Sequence, residues 1–297
     1  MKKPDWFKKA PLGNEIGSEN FIKLKNIIKN RHLCTVCEEA KCPNIGECWT
    51  NKTATFMILG DTCTRNCAFC SIKKACNGNT LFPPDESELE NIAKTVSELR
   101  LKHAVITTVT RDDLKDGGAN HFYKLSIEIK KLSPNCTIEL LISDLNGNID
   151  ALKKILEAPI SILNHNIETV PSLYKHVRQM ANYQRSLTIL KESKNFRQDI
   201  KTKSGMMLGL GETKEEVLKT MDDLLENNVD ILTLGQYLQP TSMQVSVKEF
   251  ITPEMFNEYK EIGLKKGFKF VESSPFARSS YNARNHISNI YNKTDSL

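Results

Sequence analysis

Short apolar runs alternating with amphipathic helical patterns predict an α/β fold with a mostly parallel sheet, here a partial (β/α)6 TIM-like barrel with N- and C-terminal extensions. Three observations carry this. Strand-like runs recur at ATFMILG (54–60), KHAVITT (102–108), TIELLIS (137–143), ISILNHN (160–166), KSGMMLG (203–209) and DILTLGQ (230–236). Most gaps hold apolar residues at i, i+3 and i+4: 87–100, 121–132, 149–157, 183–193 and 213–227. About six repeats are legible, short of the eight that close a full barrel.

The elements follow in order. Residues 1–50 read as an N-terminal extension, in which SENFIKLKNIIKN spaces Phe21, Leu24, Ile27 and Ile28 for a helix with Ser18 or Asn20 as its cap. The barrel spans 51–275, and its last helix, near 253–266, leads to GFKFVES (267–273). Residues 276–297 form the C-terminal extension. No low-complexity linker or internal repeat separates these segments, so they read as one globular unit.

Composition narrows the function. With 39% hydrophobic and 26% charged residues over 297 positions, the chain can bury a sizeable core. It has no apolar run long enough for a membrane span. The first residues, MKKPDWFKKAPLGNEIG, are basic but lack the apolar core of a secretory signal, and a cytoplasmic location is expected. The net charge of +5 falls short of the clustered basic stripe of a nucleic-acid binder. In a reducing compartment, clustered thiols read as metal ligands or catalytic groups before disulfides. Seven of the nine cysteines lie between Cys34 and Cys70.

Cys63, Cys67 and Cys70 form CxxxCxxC just after the first predicted strand, with Phe69 beside the last thiol. Parallel sheets do their chemistry at the C-terminal ends of the strands. Three thiolates on one short loop can hold three irons of a cubane, leaving one iron open to a ligand. A zinc site with a distant fourth ligand is the alternative at this point. Three further strand ends carry candidate binding groups. KSGMMLGLGET offers Gly209 and Gly211 for close backbone approach, or only a turn before a helix capped by Thr213. NHNIETV offers Asn164, His165, Asn166 and Glu168, and QYLQP follows the sixth strand.

CxxxCxxC after the first strand of a partial barrel resembles the radical S-adenosylmethionine (SAM) superfamily. The resemblance implies that the open iron chelates SAM, whose reductive cleavage yields a hydrogen-abstracting 5′-deoxyadenosyl radical. Phe69, Asn166, Glu168, Gly209 and Gly211 are then the expected cofactor contacts. The pattern VCEEAKCPNIGECW, with Cys37, Cys42 and Cys48, is more specific. Together with TTVTRDDLKDGGA, NHNIETV, TKSGMMLGLGET, DILTLGQYLQP and ARSSYNA, it resembles the lipoyl synthase family over nearly the whole chain.

That second resemblance implies a reaction. Two sulfur atoms are inserted at C6 and C8 of an octanoyl chain already linked to a lysine of a lipoyl carrier domain. The sulfurs come from an auxiliary [4Fe–4S] cluster held by Cys37, Cys42, Cys48 and Ser280, the second serine of RSSY. Expected partners are octanoylated 2-oxoacid dehydrogenase E2 subunits, the glycine cleavage H protein, a ferredoxin or flavodoxin, and an iron–sulfur carrier protein. A serine oxygen should bind iron less tightly than a thiolate, which suits a ligand that must leave. Cys34 reads as a bystander, although a zinc site using Cys34, Cys37, Cys42 and Cys48 is the rival. Cys76 and Cys136 read as ordinary thiols. Arg111 and Arg278 are candidates for binding a carboxylate, and Asp112 and Asp113 for starting a helix or shaping a pocket. Other functional classes are a methylthiotransferase-like two-cluster enzyme acting on RNA and a non-enzymatic zinc-binding module.

Overall fold

The computed structural model describes residues 3–7, 17–51, 53–75, 81–281 and 283. Cys76 and most of the C-terminal extension, 284–297, lie outside the described residues. The chain divides into two compact units, one of Lys9–Asn66 and Ser71–Ser161, the other of Met1–Lys8, Cys67–Cys70 and Ile162–Leu297.

In the first unit, helix Glu19–Asn30 starts at Ser18, whose side chain accepts from Phe21 N. Phe21, Leu24 and Ile28 form its buried stripe, each worth about 1.5–3 kcal/mol of apolar burial. Phe21 meets the buried Trp49 at 5.2 Å between ring centroids, and Asn20 Nδ2 donates to Thr50 O. Trp49 sits on the short helix Ile45–Thr50, preceded by an even shorter one, Val36–Glu39. These two helices carry the first cysteines. The two-residue strand Cys34–Thr35 pairs antiparallel with Thr55–Ile58. Thr55–Ile58, His103–Thr108 and Thr137–Leu141 then pair in parallel. Their side chains Ile106, Ile138 and Leu140 are buried, as are Ile92, Phe122 and Leu125 of the helices Glu86–Glu98 and Ala119–Leu132.

In the second unit Ile162–Asn164, Lys201–Leu208, Ile231–Gln236 and Phe270–Ser274 pair in parallel in that order. Helices Tyr183–Phe196, Lys214–Glu226 and Pro253–Lys266 supply Leu190, Met221, Leu224 and Phe256 to a core shared with Leu208, Leu232 and Leu234. Thr213 and Glu216 close a capping box at the start of the second of these helices. The strand–helix alternation read from the sequence is therefore present, with boundaries shifted by up to three residues. Among the described residues, no helix is long and apolar enough to cross a membrane.

Candidate active site

The loop that opens with Cys63 is fixed by a residue between its cysteines. Arg65, 4% exposed, forms a fork with Asp112 (Nε 2.7 Å, Nη2 2.8 Å) and reaches Asp144 Oδ1 at 2.7 Å. Thr64 Oγ1 donates to Thr110 O, and Arg65 N points at Cys63 Sγ over 3.4 Å. A buried guanidinium held by two carboxylates is a rigid anchor, because its fork fixes direction as well as charge. Asp112 thus serves the cysteine loop. Arg111 spends its donors on Asp113, Leu59 O and Phe82 O.

Cys67 and Cys70 belong to the second unit. Ala68 N donates to Val177 O and Val245 N to Ala68 O, at 2.9 and 3.0 Å. Phe69 packs against Val177, Leu210 and Tyr237. Burial, and then the Cys70 sulfur, pushes the Tyr237 phenol up to about 12. The strand ends of this unit gather the predicted polar group. Arg178, 8% exposed, donates through Nη1 to Asn166 O and Ile167 O at 3.1 Å and to Tyr174 Oη. Burial alone would lower the Arg178 pKa, but Tyr174, Glu168 and the Cys67 sulfur together raise it.

Glu168 sits at φ 67°, a left-handed conformation unusual for glutamate. Glu168 N donates to Gly205 O and Met207 N to Glu168 O, which ties it to the neighbouring strand. Burial pushes its carboxyl above the ordinary carboxylate range, against the pull of Arg178 and the Asn166 amide. Gly209 (φ 93°) and Gly211 (φ 116°) both take left-handed turns. At Gly209, a Cβ would stand 2.3 Å from both Gln236 Nε2 and Glu249 O, so protein atoms fill that space. His165 bonds Ser186 Oγ through Nε2.

Of the first cysteine group, Cys37 is buried and Cys42 and Cys48 are half-buried. Cys42 N donates to Cys37 O and Cys48 N to Asn44 O, so the backbone closes locally around them. Burial and the nearby Cys42 sulfur push the Cys37 thiol up to about 11. Burial followed by Glu88, Glu39, Asp61 and Glu38 does the same for Cys34. Among the described residues, no three His, Cys, Asp or Glu side chains converge to hold a single metal ion. The thiolates of a cubane bind separate irons and stand farther apart than the ligands of a single ion. Ser280 lies half-buried in a turn closed by Tyr281 N to Arg278 O at 2.8 Å. Phe276, just upstream, packs on Phe7 at 4.8 Å, and Phe7 in turn on Phe250 at 5.3 Å.

Residues 57–224 match the Radical SAM superfamily. The chain is 51% identical over 288 residues to the lipoyl synthase of Halalkalibacterium halodurans, covering 97% of this chain and 92% of that one. It is 49% identical over 296 residues to the lipoyl synthase of Bacillus subtilis, covering 99% and 96%. The chain belongs to the lipoyl synthase family. The apicoplast lipoyl synthase of Plasmodium falciparum is 51% identical over 295 residues, covering 98% of this chain and 69% of that one. Among solved structures, methylornithine synthase aligns with a TM-score of 0.56 at 15% identity, covering 88% and 81% of the two chains. The hydrogenase maturase HydG of Carboxydothermus hydrogenoformans aligns at 0.59 and 14% identity, covering 93% and 71%.

Lipoyl synthases are radical SAM sulfur-inserting enzymes, and this chain is one of them, with the α/β partial-barrel class expected of it. The family implies a [4Fe–4S] cluster and SAM. The residues present fit both. Among the described residues the three thiols of CxxxCxxC form no disulfide, and buried Asn166 Oδ1 and Arg178 Nε have no hydrogen-bond partner. Such atoms cost free energy unless a ligand meets them. Sequence reasoning missed Arg65 and Arg178. The signal for Arg65 was its place inside CTRNC, whereas nothing local to VRQM marks Arg178 as buried.

Proposed function

We propose that this lipoyl synthase converts a protein-bound octanoyl-lysine chain to a lipoyl group by placing sulfur at C6 and C8. In this reading Cys63, Cys67 and Cys70 hold the SAM-binding cluster, and Cys37, Cys42, Cys48 and Ser280 hold a second, auxiliary cluster. When bound, the first cluster with SAM supplies the hydrogen abstraction that unactivated carbons demand, and the auxiliary cluster supplies sulfur.

The chain's own residues position and shield. Asn166 and Glu168 offer an amide and a carboxylate to hydroxyl and ammonium groups of SAM, and Phe69, Gly209 and Gly211 frame that site. Arg178 holds the Asn166 and Ile167 carbonyls and keeps Nε for an anionic group. Arg65 orients the Cys63 loop through Asp112 and Asp144. The substrates are octanoylated lipoyl domains of 2-oxoacid dehydrogenase E2 subunits and the glycine cleavage H protein. A ferredoxin or flavodoxin supplies electrons, and an iron–sulfur carrier protein restores the auxiliary cluster. A reducing compartment such as the cytoplasm belongs to the same reading.

The observation that carries the reading is one of shared packing. Cys67 and Cys70 lie in the same compact unit as Asn166, Glu168, Arg178 and the Ser280 turn. The test is anaerobic incubation with SAM, a reductant and an octanoyl-lysine peptide. Mass spectrometry should show two sulfurs gained and two SAM consumed per product. Sulfur delivered to an RNA but never to the peptide would favour a methylthiotransferase and overturn the reading.

A further inference from the structure

The turn that carries Ser280 is tied to the strand end that carries Asn166. Asn166 Nδ2 donates to Ser279 Oγ at 2.7 Å, across 113 positions of sequence. The contact depends on a glycine. A Cβ at residue 205 would stand 2.8 Å from Asn166 Oδ1 and 3.1 Å from Ser279 Oγ. No larger residue fits between these side chains without displacing one of them.

The Asn166 carboxamide therefore faces two ways. One N–H is committed to Ser279, while Oδ1, about nine-tenths buried, accepts no hydrogen bond. Its backbone cannot drift, because Arg178 Nη1 holds its carbonyl at 3.1 Å. A ligand hydroxyl that donates to Oδ1 polarises the amide and makes its N–H a stronger donor to Ser279. The Ser279 bond then tightens, and with it the turn closed by Tyr281 N to Arg278 O and Ala277 N to Ser274 O.

We propose that Ser279 is a positioning residue coupling SAM at the Asn166 strand end to the placement of the neighbouring Ser280. The proposal rests on the reading that Asn166 contacts SAM. Ser279 touches neither ligand nor iron in this scheme; it transmits. Because coupling between two sites is reciprocal, a turn held in place also favours SAM. The device would bring the serine ligand into register when the radical source is loaded.

The test is backbone hydrogen exchange on peptides spanning 275–283 of the reconstituted holoenzyme, with and without SAM. SAM occupancy and iron content are measured on the same samples. SAM should slow exchange in the turn about fivefold in the wild type and in Ser279→Thr, the worth of one ordinary hydrogen bond. In Ser279→Ala the slowing should vanish while SAM still binds within about threefold of the wild type. Equal slowing in Ser279→Ala and the wild type would overturn the coupling, as would no slowing in a wild type with SAM bound. SAM binding lost in Ser279→Ala but kept in Ser279→Thr would make Ser279 part of the ligand site and overturn its positioning role. A wild type that binds no SAM would instead overturn the underlying reading of Asn166.

Discussion

The segment Cys34–Cys48 and the loop Cys63–Cys70 offer the same donor atom on two kinds of backbone. The first sets its cysteines on and between two short helices, with Cys37 buried and the indole of Trp49 beside it. The second is an irregular loop whose three thiols are half-buried, as Cys42 and Cys48 are, and its order is borrowed from Arg65, Asp112 and Val177. The difference separates two jobs. A cysteine that is also core contributes to folding before any metal arrives, whereas a cysteine on an anchored loop contributes only when it binds.

This contrast can be broken at several points. The largest effect is expected from Cys67→Ala, which should abolish reductive SAM cleavage, read as release of 5′-deoxyadenosine. The metal-free protein should meanwhile unfold within about 0.5 kcal/mol of the wild type, as for a half-exposed site. Next comes the buried cation at the polar strand end. Arg178→Met strips two carbonyls and Glu168 of a buried cation and should cost about 3 kcal/mol in denaturant unfolding. Arg178→Lys keeps the charge but not the fork and should recover only part of that loss. A silent Arg178→Met would mean that the guanidinium holds nothing.

Smaller effects sharpen the comparison. Cys37→Ala should destabilise the metal-free protein by about 1–2 kcal/mol, the cost of a small buried cavity, and should also remove half the iron of the holoenzyme. If the metal-free variant unfolds like the wild type, the core role fails. Cys34→Ala should leave iron content unchanged, and loss of one cluster would make Cys34 a ligand.

The smallest effect concerns Cys136, buried beside a strand, whose thiol burial pushes up to about 11 from 9.0. Above pH 9 the unfolded chain gives up a proton that the folded chain keeps, so stability falls as pH rises from 9 towards 11. Cys136→Ala should flatten that part of the stability–pH curve. An unchanged slope would place the thiol in contact with water.

Much of this was legible in the sequence. The helix expected near 253–266 occupies Pro253–Lys266, and Ser18, one of two candidate caps, is the one that caps. Long elements repeat their apolar spacing often enough to be recognised. The helices Val36–Glu39 and Ile45–Thr50 were invisible because four to six residues hold too few turns to show a period. The polar site was half legible. Asn166 and Glu168 stood out beyond a strand end, but their partners Arg178 and Ser279 lie 12 and 113 positions from Asn166. Burial of an arginine is decided by what folds over it, which no short window contains. The left-handed Glu168 was equally hidden, since glutamate gives no local hint of positive φ.

The packing of Phe7 on Phe250 and Phe276 has a consequence for biosynthesis. Nearly all of the first unit is contiguous between Lys9 and Ser161, so it can consolidate while the ribosome is still working. The second unit draws its aromatic seam from residues far apart in sequence. Phe7 emerges early and must wait, exposed, until Phe276 is made. Contacts so distant in sequence form late and slowly, which leaves Phe7 available to chaperones until its partners are made.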